Sequence, residues 1–313
     1  MKLVFCGTPH FAAPTLEALL AAGHSIPLVV TQPDRPVGRA QQMTAPPVKQ
    51  TALAARLAVM QPEKIRNNQE FRAQLEVIAP EAIVVVAYGR IIPPWMLALP
   101  PLGCINLHAS LLPKYRGAAP IQWAVAMGES VTGNTTMLLE EGLDTGPILL
   151  QQELPIHPDQ TAADLFGVLA TRGAPLVVET LKGLQSKSLK PKPQNHAQAT
   201  LAPLLGRDDG RMDFAAHTAQ QLRNRWRGFQ PWPGAFSALE GKKLIVHHMS
   251  ITESTGLPPA APGNLRVVDG KLLAACAHNT WLQLVELQLE GKKRLPAEEF
   301  LRGTQLGPDA RLG

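Results

Sequence analysis

The chain has 313 residues, 45% of them hydrophobic and 18% charged, which is enough for one large or two ordinary domains with a real core. Its three cysteines, Cys6, Cys104 and Cys276, are scattered, so neither a disulfide framework nor a zinc site is supported, and no apolar run is long enough to span a bilayer. The net charge of +5 is uneven: residues 1–181 carry 12 Lys and Arg against 14 Asp and Glu, while residues 182–313 carry 18 against 11, a balance that suits either a polyanionic partner or a plain solvated surface.

Met1-Lys2-Leu3-Val4-Phe5 runs directly into a strand with no signal-peptide pattern, and a cytoplasmic protein is expected. Residues 2–6 read as an apolar strand that turns at Gly7-Thr8-Pro9. Residues 11–22 read as a helix closed by Gly23, and residues 26–31 as the next strand. This α/β opening lacks GxGxxG, and its second strand ends in Thr31 rather than an acid, which counts against a nicotinamide-dependent oxidoreductase. Residues 32–39, QPDRPVGR, form a loop whose Arg35 and Arg39 either hold phosphates or are ordinary surface charges. Residues 47–60 and 68–79 read as helices. Residues 82–87 are a continuous apolar run suited to a strand buried on both faces of a parallel sheet. Trp95 and Met96, at the head of a Leu-rich helix, read as core.

From Cys104 a strand leads into the loop LLPKYRGAAP. Side chains alternate along a strand, so Asn106 and His108 project from one face and Ile105 and Leu107 from the other. Polar groups at a strand end beside a turn are where open α/β sheets place their sites. A later loop, Gly142-Leu143-Asp144-Thr145-Gly146, offers a carboxylate as partner for the imidazole. For an isolated Asn-x-His, a satisfied core histidine and a turn asparagine would be the commoner explanation.

Residues 119–127 read as a helix, 135–139 and 148–153 as strands flanking GLDTG, and 161–184 as a long helix with Thr161 at its N-cap. Periodicity then collapses, and residues 185–205, with Lys190 and Lys192 among prolines, read as a basic linker. Residues 214–226 read as a helix. Strands are expected at 236–239, 244–249, 263–268, 271–276 and 281–288, with Asp269-Gly270 as a hairpin signal, and a short helix at 296–301. Five short strands suit a small barrel of the OB type. Arg223, Arg225 and Arg227 with Trp226 and Trp232 mix cations with aromatics, as single-strand binders do, although Trp232 between two prolines reads as a packing residue.

Asn106, His108 and Asp144, set in SLLPKYRGAAPI and GLDTG, resemble the signature of the folate-dependent formyltransferases, and among them those that act on methionyl initiator tRNA. Gly7-Thr8-Pro9, TQPDRPVGR, VVAYGRIIP and PWPGAF extend the likeness in order over nearly the whole chain. The resemblance implies an α/β fold: a Rossmann-like, mostly parallel sheet in a catalytic domain at 1–184, a linker at 185–205, and an OB-fold-like β-barrel domain at 206–313 that meets tRNA. It implies transfer of the formyl group of 10-formyltetrahydrofolate to the amino group of methionyl initiator tRNA, for translation initiation, by a monomer with no metal and no membrane partner. Asn106, His108 and Asp144 would be catalytic. Tyr88, Gly89 and Ile91, with Ser110, Leu111, Leu112 and Pro113, would line the folate site, the first group largely through backbone. Arg35, Arg39, Lys190, Lys192, Arg223 and Arg225 would meet tRNA, Arg39 at the position that matters most. Two departures stand out. His10 replaces the acid that usually follows Gly7-Thr8-Pro9, and Ala40-Gln41-Gln42 replace the usual lysines.

Other enzymes share an Asn–His–Asp site. Glycinamide ribonucleotide formyltransferases lack the C-terminal barrel, and formyltetrahydrofolate hydrolases pass the formyl group to water. Sugar-nucleotide formyltransferases, with a similar C-terminal domain, are the nearest rival. The DRPVGR loop, RGAAPI without a further arginine, an intact GLDTG and the basic C-terminal part weigh against them. A non-catalytic RNA-binding protein fits the charge but not the intact Asn–His–Asp set.

Overall fold

The computed structural model describes residues 1–38, 41–253 and 256–313. The chain divides into two compact units: Met1–Pro120, Val131–Ile156 and Asp164–Pro203 form the first, and Ile121–Ser130, His157–Ala163 and Leu204–Gly313 the second.

In the first unit β1 (Lys2–Gly7) leads to α1 (Ala13–Ala21), which stops at Gly23 with φ +78°, and then to β2 (Ser25–Val30). The expected loop after β2 contains a two-stranded ribbon, β3 (Arg35–Val37) and β4 (Gln42–Thr44), with Arg35 opposite Thr44. Asp34 fastens its base: the carboxylate accepts from Gln61 Nε2 at 2.6 Å and from Lys49 Nζ at 2.7 and 2.9 Å. These bonds, that of Gln61 foremost, hold the Asp34 carboxyl below its ordinary range. Helix α2 (Pro47–Ala54) ends well before residue 60. Arg56 turns at φ +57°, and the Leu57 N–H bonds back to Ala52 O at 2.9 Å. That turn releases β5 (Val59–Met60), a two-residue edge strand that an apolar helical pattern conceals.

Helix α3 (Gln69–Ile78) is capped by Asn68, whose Oδ1 accepts the Phe71 N–H at 2.9 Å. Then come β6 (Ala82–Val86), buried throughout, α4 (Pro94–Leu97), β7 (Cys104–His108), α5 (Pro120–Ala126), β8 (Val131–Leu138), β9 (Ile148–Pro155) and α6 (Ala162–Gln185). Trp95 packs edge-on against Phe71 at 5.9 Å and Met96 is fully buried, so both are core.

The strand order is β5-β2-β1-β6-β7-β8-β9, parallel as far as β7 and antiparallel beyond it. The winding reverses between β1 and β6, and the crevice beyond their carboxyl ends is where such sheets take ligands. There Thr8 Oγ1 and Gln32 Nε2 each donate to Tyr88 O at 3.1 Å, tying together the loops that follow β1, β2 and β6.

Residues 185–203, a linker by composition, are held by their backbone within this unit. Lys192 exchanges two 2.8 Å hydrogen bonds with Ile148, Arg116 N–H donates to Thr200 O at 2.9 Å, and Ala202 N–H donates to Arg116 O at 2.7 Å. Pro191 and Pro193 flank the one N–H that is used, a pattern that sheet edges tolerate.

In the second unit α7 (Ala219–Gly228) begins later than residue 214, because Thr218 and Gln221 form a capping box. The strands are β10 (Phe236–Leu239), β11 (Lys242–Thr252), β12 (Leu265–Val268), β13 (Lys271–Cys276), β14 (Thr280–Leu289) and β15 (Leu295–Pro296), followed by α8 (Ala297–Gly303). All five expected strands are present, and β15 is too short to show a period. The sheet is antiparallel, in the order β10-β11-β14-β13-β12, with β15 on β14. Its outer strands are linked through the last residues: Leu312 bridges Leu239, Arg311 bridges Asn264, and the Leu265 and Leu312 N–H groups bond Ala310 O and Gly263 O at 2.8 and 2.9 Å. The unit is thus a curled antiparallel sheet, and its likeness to an OB barrel is partial. Trp232 is 55% exposed, so the expected packing role of its ring is not realised; Phe229, at 1% exposure, fills the interior instead. Among the described residues no helix is long and apolar enough to cross a membrane.

Leu312 is 2% exposed and belongs to the core of this sheet. Leu312→Ala is expected to cost about 2–5 kcal/mol, read by urea denaturation followed by circular dichroism. A change under about 0.5 kcal/mol, typical of surface positions, would mean that the tail merely drapes over the sheet.

Candidate active site

Strand β7 has a parallel neighbour on one side and an antiparallel one on the other, and its carboxyl end carries the polar face. Asn106 lies opposite Val85 of β6 and Met137 of β8, half-buried, with its amide unpartnered among the described residues. His108 is 5% exposed, and its Nε2 lies 2.8 Å from Tyr115 O. A carbonyl only accepts, which assigns a proton to Nε2. The other nitrogen, Nδ1, faces Asp144 Oδ2 at 3.7 Å, too long for a direct hydrogen bond and close enough to tighten. Asp144 Oδ2 accepts the Gly117 N–H at 2.8 Å.

Backbone bends aim these groups. Tyr115 has φ +61°, Asp144 +49° and Gly117 +124°. An aspartate visits this region at modest cost, whereas a tyrosine held there costs of order 1–3 kcal/mol. Gly117 admits no side chain, since a Cβ would lie 2.6 Å from Ala202 O. Gly146 is equally constrained, with a Cβ position 1.9 Å from Leu138 O.

The loop after β7 is braced from within. Thr135 Oγ1 donates to Ser110 O at 2.6 Å and accepts the Leu112 N–H at 3.1 Å, and Gln151 Nε2 donates to Leu112 O at 2.9 Å. The Ser110 hydroxyl donates to Lys114 O at 2.7 Å, and the Leu112 side chain is buried. Ser110 and Leu112 therefore shape the loop, while Leu111 and Pro113 are half-buried and keep some accessible surface. In the loop after β6 the Tyr88 ring is buried, burial pushes its phenol upward, and its carbonyl serves Thr8 and Gln32. Gly89, at φ +79°, lies beside Gln32, whose Nε2 would be 3.6 Å from a Cβ there, and Ile91 is 82% exposed.

Of the expected polyanion contacts, Arg35, Lys190 and Lys192 are exposed, and Arg39 lies outside the described residues. Arg223 and Arg225 already have partners within the protein. Arg223 is ion-paired with Asp159 and donates to Pro158 O at 3.0 Å. Arg225 lies over the rings of Phe229 and Trp123 at 5.0 and 6.0 Å and donates to Asp209 O at 3.0 Å; burial pulls its guanidinium down from its ordinary value. Both side chains are engaged inside the second unit, a use that charge counting does not distinguish from a surface patch. Four residues of the site's surroundings carry no sequence-derived role: Thr135, Gln151, Arg116 and Gln194. Thr135 and Gln151 have no motif signal. Arg116 lies within SLLPKYRGAAPI, and Gln194 is hidden in the supposed linker.

Burial raises the Cys6 and Cys104 thiols, Cys104 to about 12, as befits packing residues. Among the described residues no group of three or more His, Cys, Asp and Glu is placed to hold a metal.

Residues 1–181 match the family described as "Formyl transferase", and residues 205–305 match "Formyl transferase, C-terminal domain". A methionyl-tRNA formyltransferase of Acidobacterium capsulatum is 66% identical over 313 residues, covering 100% of both chains. One of Koribacter versatilis is 56% identical, covering 100% of this chain and 99% of the relative. Among solved structures, an N-formyltransferase of Helicobacter canadensis, in complex with folinic acid and dTDP-3-aminofucose, aligns with a TM-score of 0.64 at 17% identity, over 91% of this chain and 98% of that one, a likeness of fold. The chain belongs to the formyl transferase family, among the methionyl-tRNA formyltransferases.

Proposed function

We propose that this protein moves the formyl group of 10-formyltetrahydrofolate to the α-amine of methionyl initiator tRNA, as a cytoplasmic monomer without a metal or membrane partner. The observation that carries the reading is the 66% identity, over the full length of both chains, to a protein of that name.

The donor supplies a formyl group on an amide-like nitrogen. Ile91 and Leu143, 82% and 63% exposed in the loops beside the site, offer apolar surface to the ring system of such a donor. An α-amine titrates near about 7.7–8.0 in model compounds, so a working fraction is neutral and needs only a proton acceptor. His108 Nδ1, the nitrogen not committed to Tyr115 O, takes that proton while Nε2 keeps its own. Positive charge then develops 3.7 Å from the Asp144 carboxylate, which Gly117 holds in place. Asn106 donates its amide N–H to the oxygen of the formyl carbon as negative charge grows there, a contribution of about 10²–10³-fold. His108 returns the proton from Nδ1 to the departing folate nitrogen, and the site is restored.

For the tRNA, Arg35 on the ribbon and Lys182, Lys187, Lys190 and Lys192 along the end of α6 and the segment after it are exposed cations. They serve phosphate attraction, which positions the substrate without reading its sequence. Arg223 and Arg225 are left out of this surface.

The test is transfer of labelled formyl from 10-formyltetrahydrofolate, offered in parallel to methionyl initiator tRNA and to an amino-sugar nucleotide. Label is expected on the tRNA alone and is expected to vanish with His108→Ala; label on the sugar alone would discard the tRNA assignment. Asp144→Asn keeps an acceptor for Gly117 and removes the charge, and should lower kcat by about 10²–10⁴-fold with folate affinity nearly intact. Arg35→Ala should raise KM for tRNA and reduce the salt slope of tRNA binding by about one, leaving folate binding unchanged.

A further inference from the structure

Gln194 is 6% exposed, and its amide is fully used. Nε2 donates to Asp144 O at 2.8 Å and to Gly146 O at 2.7 Å, the two carbonyls that flank Thr145. Oε1 accepts from Arg116 Nε at 3.1 Å and from Arg116 Nη2 at 2.6 Å. Arg116 is itself 7% exposed, its Nη2 also meets His196 Nδ1 at 3.1 Å, and its backbone is paired with Thr200 and Ala202.

These bonds close a ring around the proton-transfer pair. Three consecutive residues each hold one member: Tyr115 O binds His108 Nε2, Arg116 binds Gln194, and Gly117 N–H binds Asp144 Oδ2. Gln194 returns from Arg116 to the main chain of Asp144 itself. The Asp144 backbone, at φ +49°, is thereby fixed through its carbonyl while its carboxylate is fixed through Gly117.

The chemistry of an amide is needed at this point. A glutamate would keep the Arg116 contact but turn oxygen toward two carbonyls, and an apolar side chain would leave four buried polar groups unmet.

We infer that Gln194, clamped by Arg116, is a positioning residue of the active site. It sets the approach of Asp144 to His108 from a segment that composition marks as a linker. The inference rests on the assignment of proton transfer to that pair.

Gln194→Glu separates this role from simple packing, because the fork of Arg116 retains a partner. The expected result is a kcat lower by about 10²-fold, as for a misplacement of about 1 Å, with KM for 10-formyltetrahydrofolate little changed and the thermal midpoint close to that of the parent. In an Asp144→Ala background the same substitution should cost less than about threefold, since no carboxylate remains to be positioned. Parental kcat for Gln194→Glu, or equal losses in both backgrounds, would overturn the inference.

A readout independent of turnover is hydrogen exchange at the Gly117 amide, expected to quicken by about tenfold or more in Gln194→Glu as the Asp144 loop loosens. Unchanged exchange would overturn the inference even if the parent protein transferred no formyl group. The latter result alone would remove the proposed reaction and leave the clamp standing.

Discussion

A peptide carbonyl can accept a hydrogen bond but has no proton to donate, and the geometry of the candidate site depends on that asymmetry. Tyr115 O fixes a proton on His108 Nε2 and thereby leaves Nδ1, which faces Asp144, as the nitrogen without a committed partner. Had the carbonyl pointed elsewhere, the ring could adopt either tautomer. The tyrosine carries a left-handed backbone to achieve this, and the neighbouring glycine a conformation that no other residue could occupy beside Ala202. Such strain persists where surrounding contacts over-determine it. Here the pairing of Arg116 with Thr200 and Ala202 supplies that constraint from distant sequence.

The sheet explains why β7 carries polar side chains at its carboxyl end. A strand with parallel neighbours on both sides would be covered by helices on both faces and would present apolar residues throughout. The antiparallel pairing of β8 changes this, because it brings Thr135 directly opposite His108 and lets one hydroxyl brace the loop that follows. The winding reverses between β1 and β6, and the strand direction changes between β7 and β8, two positions further along.

Much of this was legible in the sequence because it is local. The period-2 pattern places Asn106 and His108 together, the apolar run at 82–87 gives the buried strand, and five of the six short C-terminal strands show their pattern. What was not legible depends on contacts between remote segments. The helix expected at 47–60 breaks because β2 recruits Val59 and Met60, a gain invisible in the helix's own pattern. Residues 185–203 look unstructured because prolines and lysines disguise a segment that pairs with Ile148 and Arg116 and delivers the Gln194 amide between them. Arg223 and Arg225 resemble a nucleic-acid patch by composition, yet their charges are answered by Asp159 and by aromatic rings. Charge can be counted in one dimension, but its destination cannot.

The pairing of Lys192 with Ile148 has a bearing on solubility. Strand β9 is the last of its sheet, and an outermost strand with unpaired N–H and C=O groups is a template for a foreign chain. Where β9 begins, that template is already taken, by a segment whose two prolines have no N–H to extend the ladder and whose lysines, Lys190 and Lys192, repel a like-charged copy. At that end the sheet terminates in residues on which a further strand finds no foothold, a guard against the protein sticking to itself.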